Sequence, residues 1–299
     1  MMPGIGTLLP RLALLTMFGN SAALAQDAVG DFYKGRQINV VVGSATLETI
    51  EIGHGRPILF LHPSIGIEPA APVLGALARG GRLLAPSHPG FGTSQLPKGI
   101  TTIDDLSYIY LDLLEQIDLR DVLLVGIGLG AWIAAEIAVK TTGRISHLVL
   151  ANPVGIKVGG RETRDIVDIW ALTDDQFAQF AYFDPQRGKT DYVAMSDAEV
   201  HVAARNREAT ARFAWSPYMH NPKLKGRLHR INIPTLVLWG RADRILSESY
   251  GRAYAAAIPD AQFEFIEQAG HFPHLEQPYE FARRVLAFAD AGAQMARRA

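Results

Sequence analysis

From residue 46 onward, short apolar runs rich in branched residues alternate with helical patterns, which narrows the fold to a mostly parallel sheet covered by helices. The runs are Ile58 to Leu61, Arg82 to Ala85, Val122 to Val125, Leu148 to Leu150, Thr235 to Leu238 and Phe263 to Ile266. They are compact and apolar, as strands buried on both faces must be. Between them Leu106, Tyr110, Leu113, Leu114 and Ile117 recur at helical spacing behind a capping-box pattern from Thr102 to Asp105, and Ala131 to Val139 forms a second predicted helix. One connection breaks the rhythm. Residues 154 to 228 hold no strand-like run but several aromatic and charged helical stretches. Connections beyond about 15 residues in compact domains are functional or carry structure of their own, so this one is read as a helical cap inserted over the sheet. The expected organisation is a core of residues 46–153 and 229–290 with a cap at 154–228.

Composition excludes several functions. The 299 residues carry 29 basic and 30 acidic side chains, a formal net charge of -1, so no broad field draws nucleic acid or an anionic membrane surface. The absence of cysteine removes thiolate nucleophiles, disulfides and cysteine-bound metal centres. Near the start, Arg11 precedes the apolar run Leu12 to Phe18, and Ala23-Leu24-Ala25 follows, which reads as an export signal at residues 1–25 cleaved after Ala25. The run is far shorter than the roughly 20 residues that span a bilayer, so the expectation is a periplasmic or secreted protein without stable membrane insertion. Residues 26–45 form a leader-derived segment with a strand at Ile38 to Val42. Its stretch Asp31 to Gly43 resembles the mature start of the solute-binding proteins of tripartite tricarboxylate transporters. Those proteins continue into a glycine-rich carboxylate-binding loop, whereas Ser44-Ala45-Thr46 does not, so their ligand role is not carried over.

Gly126-Ile127-Gly128-Leu129-Gly130 follows a strand and opens a helix. A dinucleotide-binding turn would carry an acidic ribose partner about 20 residues later, where Leu150-Ala151-Asn152-Pro153 offers none. The other reading is a nucleophile elbow, G-x-S-x-G, a sharp turn that lifts the central side chain to the top of the sheet. Its central residue here is Gly128.

The surrounding segments resemble the α/β-hydrolase family, in its single-domain, cap-bearing branch, from about residue 46 to the end. Leu61-His62-Pro63-Ser64-Ile65-Gly66 is similar to the family's His-Gly oxyanion loop, with Pro63 in place of the usual glycine. Ser87 to Ser94 resembles the glycine turn after the next strand, Leu238 to Asp243 the acid segment and Ala269 to Glu276 the base segment. The order elbow, Asp243, His271 matches a triad on this fold. The resemblance implies that Asp243 orients His271, that His271 moves the proton, and that the backbone amides of Ser64 and Leu129 face a developing oxyanion. It assigns structural roles to His62 and His88 and calls for no cofactor. A metal held by His271, His274 and Glu276 is set aside, because the spacing fits no helical zinc-hydrolase signature and Pro273 interrupts a helix carrying both histidines. Trp215, Tyr218 and His220 in the cap are candidates for substrate contact, with core packing as the alternative.

Glycine has no atom that attacks a carbonyl. Losing the nucleophile of such a triad costs on the order of a millionfold in turnover, while oxyanion hole and binding leave roughly a thousandfold over water. Three readings follow for a small-molecule substrate or ligand. His271 and Asp243 activate water on a small ester or abstract a substrate proton directly; or the pocket binds without turnover; or a serine has been lost from an ordinary esterase-like hydrolase. The sequence sets no oligomeric state.

Overall fold

A computed structural model describes residues 36–296. The export signal and the first part of the transporter-like segment lie outside the described residues. The eight strands are β1 Arg36–Val42, β2 Ala45–Ile52, β3 Pro57–Leu61, β4 Arg82–Pro86, β5 Val122–Ile127, β6 Ile145–Ala151, β7 Thr235–Gly240 and β8 Gln262–Ile266. They form one sheet in the order β1-β2-β4-β3-β5-β6-β7-β8. The pairs β1–β2 and β2–β4 are antiparallel and the rest are parallel. The fold is an α/β-hydrolase fold, with a mostly parallel sheet flanked by helices.

Helices α1 Ala71–Ala78, α2 Ile103–Gln116 and α3 Leu129–Lys140 lie in the first half. Between β6 and β7 come α4 Asp174–Ala181 and α5 Asp197–Ala214, and α6 Glu248–Ala256, α7 Pro273–Glu276 and α8 Pro278–Ala296 complete the chain. Among the described residues no helix is long and apolar enough to cross a membrane. The capping box at α2 forms as the sequence predicts: the Thr102 side chain accepts from the Asp105 amide, and the Asp105 carboxylate accepts from the Thr102 amide.

Side chains of the central strands alternate between two buried layers. Val122 and Leu124 of β5 pack with α2 and α3, whereas Leu123, Val125 and Ile127 pack with α1 and α8. Both faces are covered, which is why β5 reads as an unbroken apolar run. Strand β2 differs, because its sequence ATLETIEI intersperses polar residues and part of it stays half-exposed. The sequence reading misses it for that reason.

Two glycines fix how closely α3 approaches the sheet. A β-carbon at Gly126 would collide with the backbone of Gly130 and Ala131, and one at Gly130 with the carbonyl oxygens of Leu61 and His62. Backbone atoms cannot rotate away. Gly130→Ala is therefore expected to lower the unfolding free energy by about 3 kcal/mol, the upper end of ordinary overpacking costs, read from the urea midpoint at unchanged m-value.

Candidate active site

The chain reverses its direction of sheet building at β3, with β4 on one side and β5 on the other. Loops leaving the carboxyl ends of β3 and β5 are thus neighbours, with Leu61 beside Gly126, and open α/β sheets bind ligands at such a switch point. From β3 comes the loop 62–66 and from β5 the turn at Gly128.

Gly128 caps α3 with φ 54° and ψ -110°, a left-handed conformation that burdens side chains and that glycine adopts freely. A β-carbon there would meet no backbone. It would stand 3.4 Å from His271 Nε2 and 3.7 Å from Pro63 Cβ. The elbow thus keeps its backbone shape and faces the imidazole across one van der Waals contact.

His271 Nδ1 lies 2.8 Å from Asp243 Oδ2, and the Asp243 side chain is fully buried. Because a carboxylate only accepts, Nδ1 carries a proton, and in the neutral ring Nε2 is the acceptor that faces position 128. Asp243 is held on every side. Its Oδ1 accepts from the amides of Ile245 (2.8 Å) and Leu246 (3.1 Å), and Oδ2 also accepts from Asn152 Nδ2 at 2.7 Å. Asn152 is itself fixed, since its Oδ1 accepts from the Gly240 amide at 3.0 Å and its backbone sits at φ 41°, which asparagine tolerates. Sequence reasoning missed Asn152, treating it only as the place where an acidic ribose partner was lacking; an asparagine ending a strand before Pro153 was the available signal.

The loop after β3 is pinned by its carbonyls. His62 Nε2 accepts from the His88 amide at 2.9 Å, so Nδ1 carries the proton and donates to Pro63 O at 2.7 Å. Thr210 Oγ1 donates to Ser64 O at 3.2 Å and Asn206 Nδ2 to Ile65 O at 3.2 Å, both from α5. In a trans peptide the amide points opposite the carbonyl, so holding Pro63 O sets the direction of the Ser64 amide. That amide donates to nothing among the described residues. At the start of α3 the Leu129 amide has no acceptor within its helix, and the dipole favours negative charge there. His88 stacks on His62 with ring centroids 3.7 Å apart and pairs through Nδ1 with the Tyr110 hydroxyl. Burial holds His62 neutral, its pKa down to about 4, and pushes His88 well below its ordinary value.

Ser64, Leu129 and His271 line one cavity of about 20 Å³, room for about one water molecule. Its other walls are apolar and come largely from the insertion, including Ile166, Ile169, Phe177 and Met219. Trp215 and Tyr218, expected from the sequence to contact substrate, do not line it. They border a separate groove together with His220. The Tyr218 hydroxyl is occupied, donating to Val167 O at 2.8 Å and accepting from the Ile169 amide at 2.9 Å, so Tyr218 braces the cavity wall from behind. Burial raises its pKa to about 12.

The sequence model of the alpha/beta hydrolase family matches residues 58–284, most of the chain. The chain belongs to the alpha/beta hydrolase family. This hydrolase-family chain is 28% identical over 267 residues to the 2-hydroxymuconate semialdehyde hydrolase of Pseudomonas sp. (strain CF600), covering 81% of the chain and 90% of the relative. It is 23% identical over 221 residues to 3-oxoadipate enol-lactonase 1 of Acinetobacter baylyi, covering 70% and 79%. In fold it is similar to a membrane phospholipase A described as a bacterial virulence factor, with a TM-score of 0.71 at 20% identity over 90% of this chain and 91% of that one.

Next to His271, this alpha/beta hydrolase uses Glu276 and His274 in different ways. The buried Glu276 carboxylate accepts from the amides of Gly270 (2.6 Å), Phe183 (3.0 Å) and Asp184 (3.1 Å), tying the base loop to the end of α4. The His271 amide donates to Ala181 O at 2.6 Å, strengthening the same tie. His274 lies among Phe60, Phe272 and Phe281, and neither ring nitrogen has a partner among the described residues. Burial first, then the neighbouring His271 and His62, push its pKa down to about 3. The unfolded chain takes up a proton that the folded chain refuses, so stability present at neutral pH is lost as pH falls from about 6.5 toward 3. His274→Leu is expected to raise stability by about 1 kcal/mol at pH 7 by removing unsatisfied polar atoms. Its advantage over wild type should widen by about 1.4 kcal/mol per pH unit below 6.5, read from urea unfolding at pH 7 and pH 5.

Proposed function

We propose that this protein hydrolyses small esters or related carbonyl compounds by direct attack of water, with His271 as general base and no covalent intermediate. The observation that carries the reading is the position beside Gly128 where a serine side chain would begin. No backbone intrudes there, and it lies 3.4 Å from His271 Nε2, a base held in the accepting tautomer by Asp243, so a water can take the place of the hydroxyl.

In the reaction, the water oxygen attacks the carbonyl carbon while Nε2 takes a water proton. The carbonyl π electrons move onto oxygen, where the amides of Ser64 and Leu129 stabilise the charge. Collapse expels the alkoxide, which recovers the proton from Nε2, so that ester and water become acid and alcohol. The imidazolium formed between the two transfers is stabilised by the Asp243 carboxylate. The lactonase relative supports this reading, because a lactone is an ester. The expected setting is outside the cytoplasm, as the apolar run from Leu12 and the Ala23-Leu24-Ala25 site imply. The test is hydrolysis of a panel of short acyl esters: wild-type turnover should exceed the blank and fall by about a hundredfold or more in His271→Ala. A folded wild-type protein that binds such esters and turns none over would replace this reading with a binding protein.

A further inference from the structure

The insertion carries a second void, an open groove of about 460 Å³ bordered by segment 156–168 and by Trp215, Tyr218 and His220. Ile166 is the one described residue that lines both this groove and the cavity at His271. Its backbone is held from two directions. Ile166 bridges to Leu246 and the Val167 amide donates to Ile245 O at 3.1 Å, while the Tyr218 hydroxyl clamps Val167 and Ile169 from the other side. With the main chain fixed, Ile166 is the residue that the two spaces share.

The groove's charges cancel. Lys157, Arg161 and Arg164 face Glu162, Asp165 and Asp168, with Lys157 Nζ 2.7 Å from Asp165 and the other two pairs at 3.8 and 3.9 Å. A charged ligand would therefore gain no net attraction. What the groove does offer is the exposed side chain of Trp215, 59% accessible, whose ring meets that of Trp170 at a centroid distance of 6.2 Å with the planes tilted by 60°. Arg207 in turn lies over the Trp170 ring at 5.2 Å. An exposed aromatic ring held by an aromatic neighbour and set among balanced charges suits a flat, uncharged, unsaturated group.

We propose that this groove takes the uncharged aromatic part of the substrate while its carbonyl passes Ile166 to reach His271, an inference that rests on the hydrolytic reading above. The cavity alone holds about one water, so the bulk of any substrate must lie elsewhere. Ile166 then limits which esters place their carbonyl at the base, and Trp215 selects for aromatic character.

The test uses full-length protein and an unreactive probe, methyl 2-naphthyl ketone, with cyclohexyl methyl ketone as the saturated control, titrated calorimetrically. The naphthyl ketone should bind about fivefold more tightly than the control, and Trp215→Ala should remove that preference. Ile166→Ala should raise kcat/KM on 2-naphthyl acetate about fivefold relative to ethyl acetate, with Ile166→Val as the smaller step should the alanine variant fail to fold. Equal affinity for the two ketones, or an aromatic preference that survives Trp215→Ala, overturns the inference. Binding with the expected pattern in a protein without turnover keeps the groove and removes the hydrolytic reading. Turnover indifferent to both substitutions does the reverse.

Discussion

Gly128→Ser is expected to raise hydrolysis of short acyl esters by at least about tenfold, a small part of the gain, on the order of a millionfold, that the nucleophile of an intact triad contributes. The geometry explains the size of the effect. The new β-carbon would stand 3.4 Å from His271 Nε2, and the hydroxyl it carries would come within reach of that nitrogen. His271 is anchored through Nδ1 to Asp243 with Nε2 turned toward position 128, so no other residue has to move. The substitution brings a cost: φ of 54° burdens a serine by about 1 to 3 kcal/mol, which should appear as a lowered Tm. Greater activity together with lower stability would mark strain concentrated at a functional turn. Unchanged activity in a folded variant, across a range of acyl lengths, would mean that the site no longer presents an ester to position 128.

Removing the base should have the largest effect in the opposite direction. His271→Ala is expected to lower kcat on short esters by about a hundredfold or more in wild type, the contribution of a positioned general base. The loss should be greater in the Gly128→Ser background, where the imidazole must also activate the serine. Asp243→Asn separates orientation from charge. An asparagine amide at this position can donate to Nδ1, which moves the imidazole proton to Nε2 and leaves no base facing position 128. The loss should therefore approach that of His271→Ala even though the ring stays in place. If His271→Ala retained wild-type kcat, hydrolysis would have to proceed at some other group.

The parallel strands were legible in the sequence because burial on both faces leaves an apolar run, as in β5. Helix α2 was legible because one apolar face and a capping box mark its period and its start. Helix α1 carried no such signal. Nearly every one of its residues is buried, so apolar side chains surround it and no stripe appears. Chain order and local motif were enough to bring Asp243 and His271 together, because both sit directly after strands whose order the fold dictates. Asn152, Asn206 and Thr210 escaped because their roles arise from contacts more than fifty residues away in the chain: Asn152 to Asp243, and the two α5 residues to the loop at Pro63. Trp215 and Tyr218 show a related limit. The sequence grouped them beside the site, whereas the fold places them at the groove that shares Ile166 with the cavity, where one ring is exposed and the other braces a wall.

Intact-mass analysis of rapidly quenched mixtures of protein and a short activated ester tests direct water attack most simply, because it reports whether the acyl group is ever carried by the chain. Wild type should release acid and alcohol while its own mass stays unchanged at every time point. Gly128→Ser should gain one acyl group during turnover, located by peptide mapping at residue 128. An acyl group on the wild-type chain, at Ser64 or any other residue, forming and decaying at the rate of turnover, would contradict the account.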